Sequence, residues 1–165
     1  MKLNTISIKM NHIVICLIII IGMVIIDQIT KVIAFKYLDS HTKYHVINKV
    51  IDFELVENDG AMFGILSGKK ILFYIVTIIG LGAFAFFLKD GNIDTMPFYT
   101  IGLSLMIAGT IGNFIDRIIF GYVRDFITFG FFEFPSFNVA DMCMCVGIVM
   151  FIIDSIFGGA KNLWK

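Results

Sequence analysis

The sequence predicts an α-helical integral membrane domain: four transmembrane helices with a small β-cradle and an interfacial loop on one side of the bilayer. Three observations carry this. The 165 residues are 58% hydrophobic, with a mean hydropathy of +0.91. Charged residues make up 16% of the chain, against about 25% in soluble domains. Four apolar runs reach the roughly 17 to 25 helical residues that cross a hydrocarbon core. A single domain over 1–165 accommodates all four.

The first span runs from about Ile13 to Phe35. It begins like a secretory leader, with Lys2 and Lys9 ahead of an apolar run, but continues into Asp27-Gln28-Ile29-Thr30-Lys31 without a small-x-small cleavage site, so it reads as a retained helix. The following loop contains Val46 to Val56, whose β-branched alternation predicts a strand, with Phe53 and Leu55 on one side and Glu54 and Val56 on the other. The second span covers Ile71 to Leu88, and a short turn over Lys89 to Thr95 leads to the third, Met96 to Ile115. Pro97 falls in that helix's first turn, where its missing N–H does no harm. Ile118 to Phe134, rich in Phe, Ile, Tyr and Val and broken by Gly121 and Gly130, predicts the rest of the cradle. The fourth span runs from Val139 to Phe157. Four spans put both termini and the short turn on one side and both long loops on the other.

Charge limits the function classes. Lys plus Arg equals Asp plus Glu at 13 each, so no basic excess points to nucleic acid. Cys16, Cys143 and Cys145 lie in apolar stretches and read as small hydrophobes, because an i, i+2 pair points to different helix faces. His12, His41 and His45 are dispersed, HExxH is absent, and no metal site is expected. Orientation is open: the tails and short turn hold Lys2, Lys9, Lys89, Lys161 and Lys165, and the other cations fall toward the long loops, so a positive-inside count puts those loops in the cytoplasm.

The acids are more informative. A carboxylate within the membrane costs about 2.5 to 3.5 kcal/mol on insertion scales, so intramembrane acids are functional candidates. Asp125 lies in Val123-Arg124-Asp125-Phe126, and Asp141 closes Phe137-Asn138-Val139-Ala140-Asp141. Two acids in a poorly solvated site push their pKa values apart, so that one holds a proton while the other is ionised; aspartic proteases activate water in this way. Helical spacing puts Asp27 with Lys31, Asn113 with Asp116 and Arg117, and Asn138 with Asp141 on common faces. The first two groups also read as interfacial anchors, and Asn58, in Glu57-Asn58-Asp59-Gly60, as an ordinary turn residue. With Asn58 ahead of the second span, all four spans bring polar residues to the long-loop face. Asp154 is excluded: 13 residues beyond Asp141, it lies about 20 Å further along the helix.

In order, Asp27 with Lys31, Asn58-x-Gly60-Ala61, Gly112-Asn113-x-x-Asp116-Arg117, Val123-x-Asp125-Phe126 and Phe137-Asn138-x-Ala140-Asp141 resemble the bacterial lipoprotein signal peptidases, or signal peptidase II, over nearly the whole chain. The resemblance implies an intramembrane aspartic endopeptidase with Asp125 and Asp141 as the catalytic pair. Asp27, Lys31, Asn58, Gly60, Asn113, Asp116, Arg117 and Asn138 are then support and substrate-binding positions. It also implies a bacterial cytoplasmic membrane location with the termini inside and an extracytoplasmic cradle. The resemblance further implies diacylglyceryl-modified prolipoproteins, cut just before the lipidated cysteine, as substrates and globomycin-type cyclic peptides as inhibitors; two carboxylates activating water need no cofactor, and the chain is expected to work as a monomer among membrane lipids. The Phe-rich stretch up to Phe137 reads equally as a water-excluding lid or as an interfacial anchor.

Rival classes fit less well. A small transporter or channel subunit predicts polar residues along a path across the bilayer, whereas here they cluster at one level. A metal-dependent lipid-headgroup transferase needs further acids after Asp59-Gly60-Ala61, and a serine protease needs a histidine in a span next to Ser67 or Ser104.

Overall fold

The computed structural model describes residues 2–40, 42–60 and 70–164. Ala61, which ends the Asn58-x-Gly60-Ala61 motif, lies outside the described residues, as do His41, Ser67 and Lys69. Chain order is α1 (Lys2–Tyr37), β1 (Tyr44–Ile47), β2 (Ile51–Asn58), α2 (Lys70–Leu88), α3 (Pro97–Ile119), β3 (Val123–Phe129), α4 (Val139–Phe157) and a 3₁₀ helix over Gly159–Trp164.

All four expected spans are helices long and apolar enough to cross a membrane. Two exceed their expected bounds by more than a single residue. α1 runs from Lys2 to Tyr37 because backbone hydrogen bonding does not stop where the apolar run does. α3 continues past Asp116 and Arg117 to Ile119: Asp116 is buried and Arg117 half-buried within the fold, so these charges do not mark the helix end. The stop is Gly121, at φ 83°, a left-handed position suited to glycine just beyond a helix C-cap.

α3 is the central helix, with 61% of its apolar window buried against none for α2. Glycine lets α3 and α4 come close: a Cβ on Gly102 would meet the Gly147 carbonyl oxygen at 2.7 Å, and one on Gly109 would strike the carbonyl oxygen of Ala140. At the end of the bundle far from the sheet, Met96, Tyr99, Leu103, Met106 and Ala160 form a small core. Asp154 sits there as expected, accepting hydrogen bonds from the Tyr99 N–H (2.9 Å) and the Ala160 N–H (3.3 Å). The outer surfaces carry exposed Ile, Val and Phe, among them Ile18, Ile25, Ile75 and Val149, as lipid contact requires.

The strand expected over Val46 to Val56 is a hairpin. β1 and β2 pair antiparallel around a turn in which Lys49 adopts φ 59°, and an irregularity between Phe53 and Val56 breaks the simple alternation. β3 completes a three-stranded antiparallel sheet of order β1-β2-β3. Its register sets Val56 opposite Asp125 and Asn58 opposite Val123, so Asn58 and Asp125 are diagonal neighbours. Phe137 then pairs with Ile127 and delivers the chain to α4.

Candidate active site

The site is a buried polar layer where α1, α3, α4 and the sheet converge. Lys31 does not snorkel to water: it is 0% exposed. Its ammonium lies 2.9 Å from Asp27 and 3.4 Å from Asp116 and donates to Asn113 Oδ1 at 3.0 Å. Asp116 also takes two guanidinium bonds from Arg124, at 2.8 and 3.2 Å, and one from the Arg124 N–H at 2.9 Å. Two carboxylates thus meet two cations, and the compensation lets these charges stay buried. Asp27 reaches across to accept from the Ala140 N–H at 2.9 Å, fixing the start of α4 against α1.

Asn138 is the N-cap of α4 and forms a capping box with Asp141: its side-chain oxygen accepts from the Asp141 N–H at 3.1 Å, and its own N–H donates to Asp141 Oδ2 at 3.1 Å. The Asn138 amide also donates to Asp125 Oδ1 at 2.6 Å and to Asn113 Oδ1 at 3.0 Å. Asn113 donates to Asp141 Oδ1 at 2.7 Å, and Asn58 to Asp125 Oδ2 at 2.8 Å. Neither Asp125 nor Asp141 has a cation bonded directly to it among the described residues. Burial, reinforced by the negative Asp141 nearby, pushes the Asp125 carboxyl up to about 7, although the Asn58 and Asn138 amides pull against the shift.

Both carboxylates line one cavity of about 790 Å³. The sheet supplies Val46, Phe53 and Ile127 to its wall and α4 supplies Met142, Cys145 and Val146, so the acids face a largely apolar space. Arg117 also lines it, donating to the Gly60 carbonyl at 3.2 Å and lying 4.6 Å from the Phe73 ring centroid. Gly60 in turn donates its N–H to Asn58 Oδ1 at 3.1 Å.

A model of the family described as Signal peptidase (SPase) II matches residues 19–157. A lipoprotein signal peptidase of Staphylococcus haemolyticus is 40% identical over 157 residues, covering 93% of this chain and 98% of its own. One of Lactiplantibacillus plantarum is 37% identical over 137 residues, covering 83% and 91%. The chain belongs to the signal peptidase II family. Two solved bacterial membrane enzymes share the fold of this peptidase. The one determined by the in meso method at 2.3 Å resolution has a TM-score of 0.78 at 38% identity over 86% of each chain. The other, at 1.9 Å, has a TM-score of 0.77 at 37% identity over 86% of this chain and 92% of that one.

Asp27, Lys31, Asn58, Gly60, Asn113, Asp116, Arg117, Asp125, Asn138 and Asp141 all fall in this one cluster. The second span is represented, as expected, by Asn58 in the strand ahead of it, which reaches Asp125. From α2 itself, Phe73 and Tyr74 pack around Arg117, with the Tyr74 hydroxyl donating to the Arg117 carbonyl at 3.0 Å. Sequence reasoning also passes over Gln28 and Arg124. Gln28 donates to Asp27, the Gly112 carbonyl and Asp116 at 3.1, 3.1 and 3.2 Å and accepts from Arg124 at 3.0 Å. Arg124 could have been found by strand alternation, which turns it to the face opposite Asp125. His45, treated as isolated, has its Nδ1 2.7 Å from Asp52.

Proposed function

We propose that this chain removes the signal peptide from diacylglyceryl-modified prolipoproteins as an aspartic endopeptidase, cutting just before the lipidated cysteine. The observation that carries the catalytic reading is the pair of buried acids on one apolar cavity, with Asp125 pushed up to about 7. The names of the similar proteins support the substrate class.

In this mechanism Asp141 is the base and Asp125 holds the proton. Asp141 occupies the third residue of α4, where backbone donors and the positive end of the helix dipole suit an anion. Asp125 is held only by amide donors among the described residues. Asp141 takes a proton from water, whose oxygen attacks the scissile carbonyl while Asp125 gives its proton to the developing oxyanion. The tetrahedral diol then returns a hydroxyl proton to Asp125, Asp141 passes its proton to the leaving amine, and the C–N bond breaks. Asn58, Asn113 and Asn138 orient the two carboxylates, the Asp27, Lys31 and Asp116 layer fixes the helices that carry them, and Arg117 with Gly60 holds the sheet side against α3. The apolar cavity suits a diacyl substrate, whose chains stay in lipid.

The same reading has the chain working as a monomer in the bacterial cytoplasmic membrane, with termini inside, active site outward, no cofactor, and globomycin-type peptides as inhibitors. The decisive experiment is a gel-shift assay of purified protein with a diacylated prolipoprotein and its unlipidated counterpart. Cleavage of the first alone, lost in Asp125→Asn and in Asp141→Asn, is expected. Near-normal turnover by either variant overturns the catalytic pair.

A further inference from the structure

Next to the dyad cavity lies a second hollow, of about 620 Å³, which the proposed reaction leaves unused. Its polar lining comes from Lys43, Glu54, Thr128, Glu133 and Ser136, and Lys43, Phe131 and Glu133 at its rim are exposed. The two hollows share a wall: Phe129, Phe134, Pro135 and Ser136 line both. Their chemistry diverges from there. The dyad cavity runs down α4 past Met142, Cys145, Val146 and Ile148 into the lipid-facing part of the bundle, while the outer groove has charged groups and backbone at the hairpin end of the sheet.

We infer that this outer groove binds the mature polypeptide a few residues downstream of the scissile bond, as an extended chain. The inference rests on the peptidase reading and adds a binding site to it. The signal half of the substrate and its acyl chains are apolar and match the α4 side of the cavity. The mature half is destined for water, and its continuous route from the dyad passes the shared wall. β3 provides the ruler: from Asp125 to Phe129 the strand covers about 13 Å at ~3.3 Å per residue. An extended substrate therefore reaches the groove with about its fourth downstream residue.

The groove also selects for charge. Glu54 and Glu133 face it with one cation, Lys43, which already lies 3.6 Å from Asp52 and 3.6 Å from Glu54. Asp52 is itself held by His45 at 2.7 Å. The acids are in excess, so a basic side chain on the passing polypeptide is favoured over an acidic one.

The test uses synthetic diacylglyceryl-cysteine peptides carrying an apolar signal segment and a downstream tail of two or eight residues, the longer tail with Lys or Glu at its fifth and sixth positions. In the wild type the eight-residue Lys tail should raise kcat/KM over the two-residue peptide, mainly through KM, and exceed the Glu tail by about threefold, the scale of a solvent-exposed ion pair. The Glu54→Lys/Glu133→Lys variant should invert that preference, and Glu54→Gln/Glu133→Gln should erase it. Cleavage of the two-residue peptide, which does not reach the groove, should stay unchanged in both. Equal kcat/KM for all tails in the wild type, or variants that slow the two-residue peptide as much as the others, overturns the groove while leaving the peptidase intact. Failure of the wild type to cut any of the peptides overturns the peptidase reading, and the inference with it.

Discussion

At Asp125 the balance is between burial, which disfavours the anion, and two amide hydrogen bonds, which favour it; burial wins and the carboxyl rises to about 7. Because the folded-state value lies above the ordinary carboxylate value of 3.8, the stability it contributes is full below that ordinary value and is lost as pH rises through about 7. Wild-type Tm should therefore fall over this window relative to Asp125→Asn, which cannot ionise there. Turnover should show an alkaline limb near the same pH, as the shared proton leaves. A flat Tm difference between the two proteins would show that Asp125 is not held protonated by the fold. In the proposed mechanism carboxylates alone activate the water, so prolonged EDTA treatment should leave turnover unchanged; loss restored by a divalent metal would overturn this. Asn138 serves Asp125, Asn113 and the α4 cap together, so Asn138→Ala should cost about 1 kcal/mol of stability as a lost cap and reduce kcat on the order of 10²-fold by freeing the carboxylate. Asp154→Asn should lower Tm by weakening the bonds to Tyr99 and Ala160 yet leave turnover of the folded enzyme nearly intact, since that residue lies at the far end of α4.

Among the elements, the crossing of α3 and α4 sets the site, because Asn113 and Asp116 belong to one helix and Asn138 caps the other. Their approach depends on glycines whose Cβ would collide with backbone. Gly102→Val, with its Cβ driven to 2.7 Å from the Gly147 carbonyl, should destabilise by roughly 1 to 3 kcal/mol or more, as overpacking does. It should also reduce activity by displacing Asn138 and Asp141. Gly80→Ala, on α2 with nothing within 4 Å of its added Cβ, should be neutral or slightly stabilising. Thermal shift in detergent compares the two; equal losses would mean the glycines of α3 play no special packing role. The same helix shows why sequence boundaries slipped. Asp116 and Arg117 look like a membrane exit, but partners from α1, β3 and the loop after β2 keep them in the fold, and only the backbone freedom of Gly121 ends the helix.

For the whole molecule, the count of charges alone points to the opposite orientation from the one proposed for a peptidase of exported substrates. The structure accounts for the excess cations on the long-loop side. Lys31 and Arg124 are buried in the polar layer and Arg117 is tied to Gly60 and Phe73. Setting those three aside, the two sides carry equal numbers of Lys and Arg, so these cations report the site and say nothing about insertion. With Cys16, Cys143 and Cys145 replaced, single cysteines at Thr42 and Glu133 should react with a membrane-impermeant thiol reagent in intact cells, and those at Thr95 and Asn162 only after permeabilisation. All four positions are exposed. The opposite labelling pattern would put the dyad on the cytoplasmic side and overturn the proposed orientation.

The sequence by itself determined the membrane class, the four spans and the local faces: Asp27 with Lys31, Asn113 with Asp116 and Arg117, and Asn138 with Asp141. These were legible because helix periodicity and hydrocarbon thickness are local constraints that a pattern of residue types records directly. Tertiary structure decided the partnerships. That Asp116 is neutralised by Arg124 and Lys31, that Gln28 bridges three elements, that the expected single strand folds into a hairpin, and that Asn58 reaches Asp125 all depend on contacts between residues far apart in the chain. No local spacing encodes them, because they exist only once α1, α3, α4 and the sheet enclose one space and leave each buried charge to the partner that packing brings within reach.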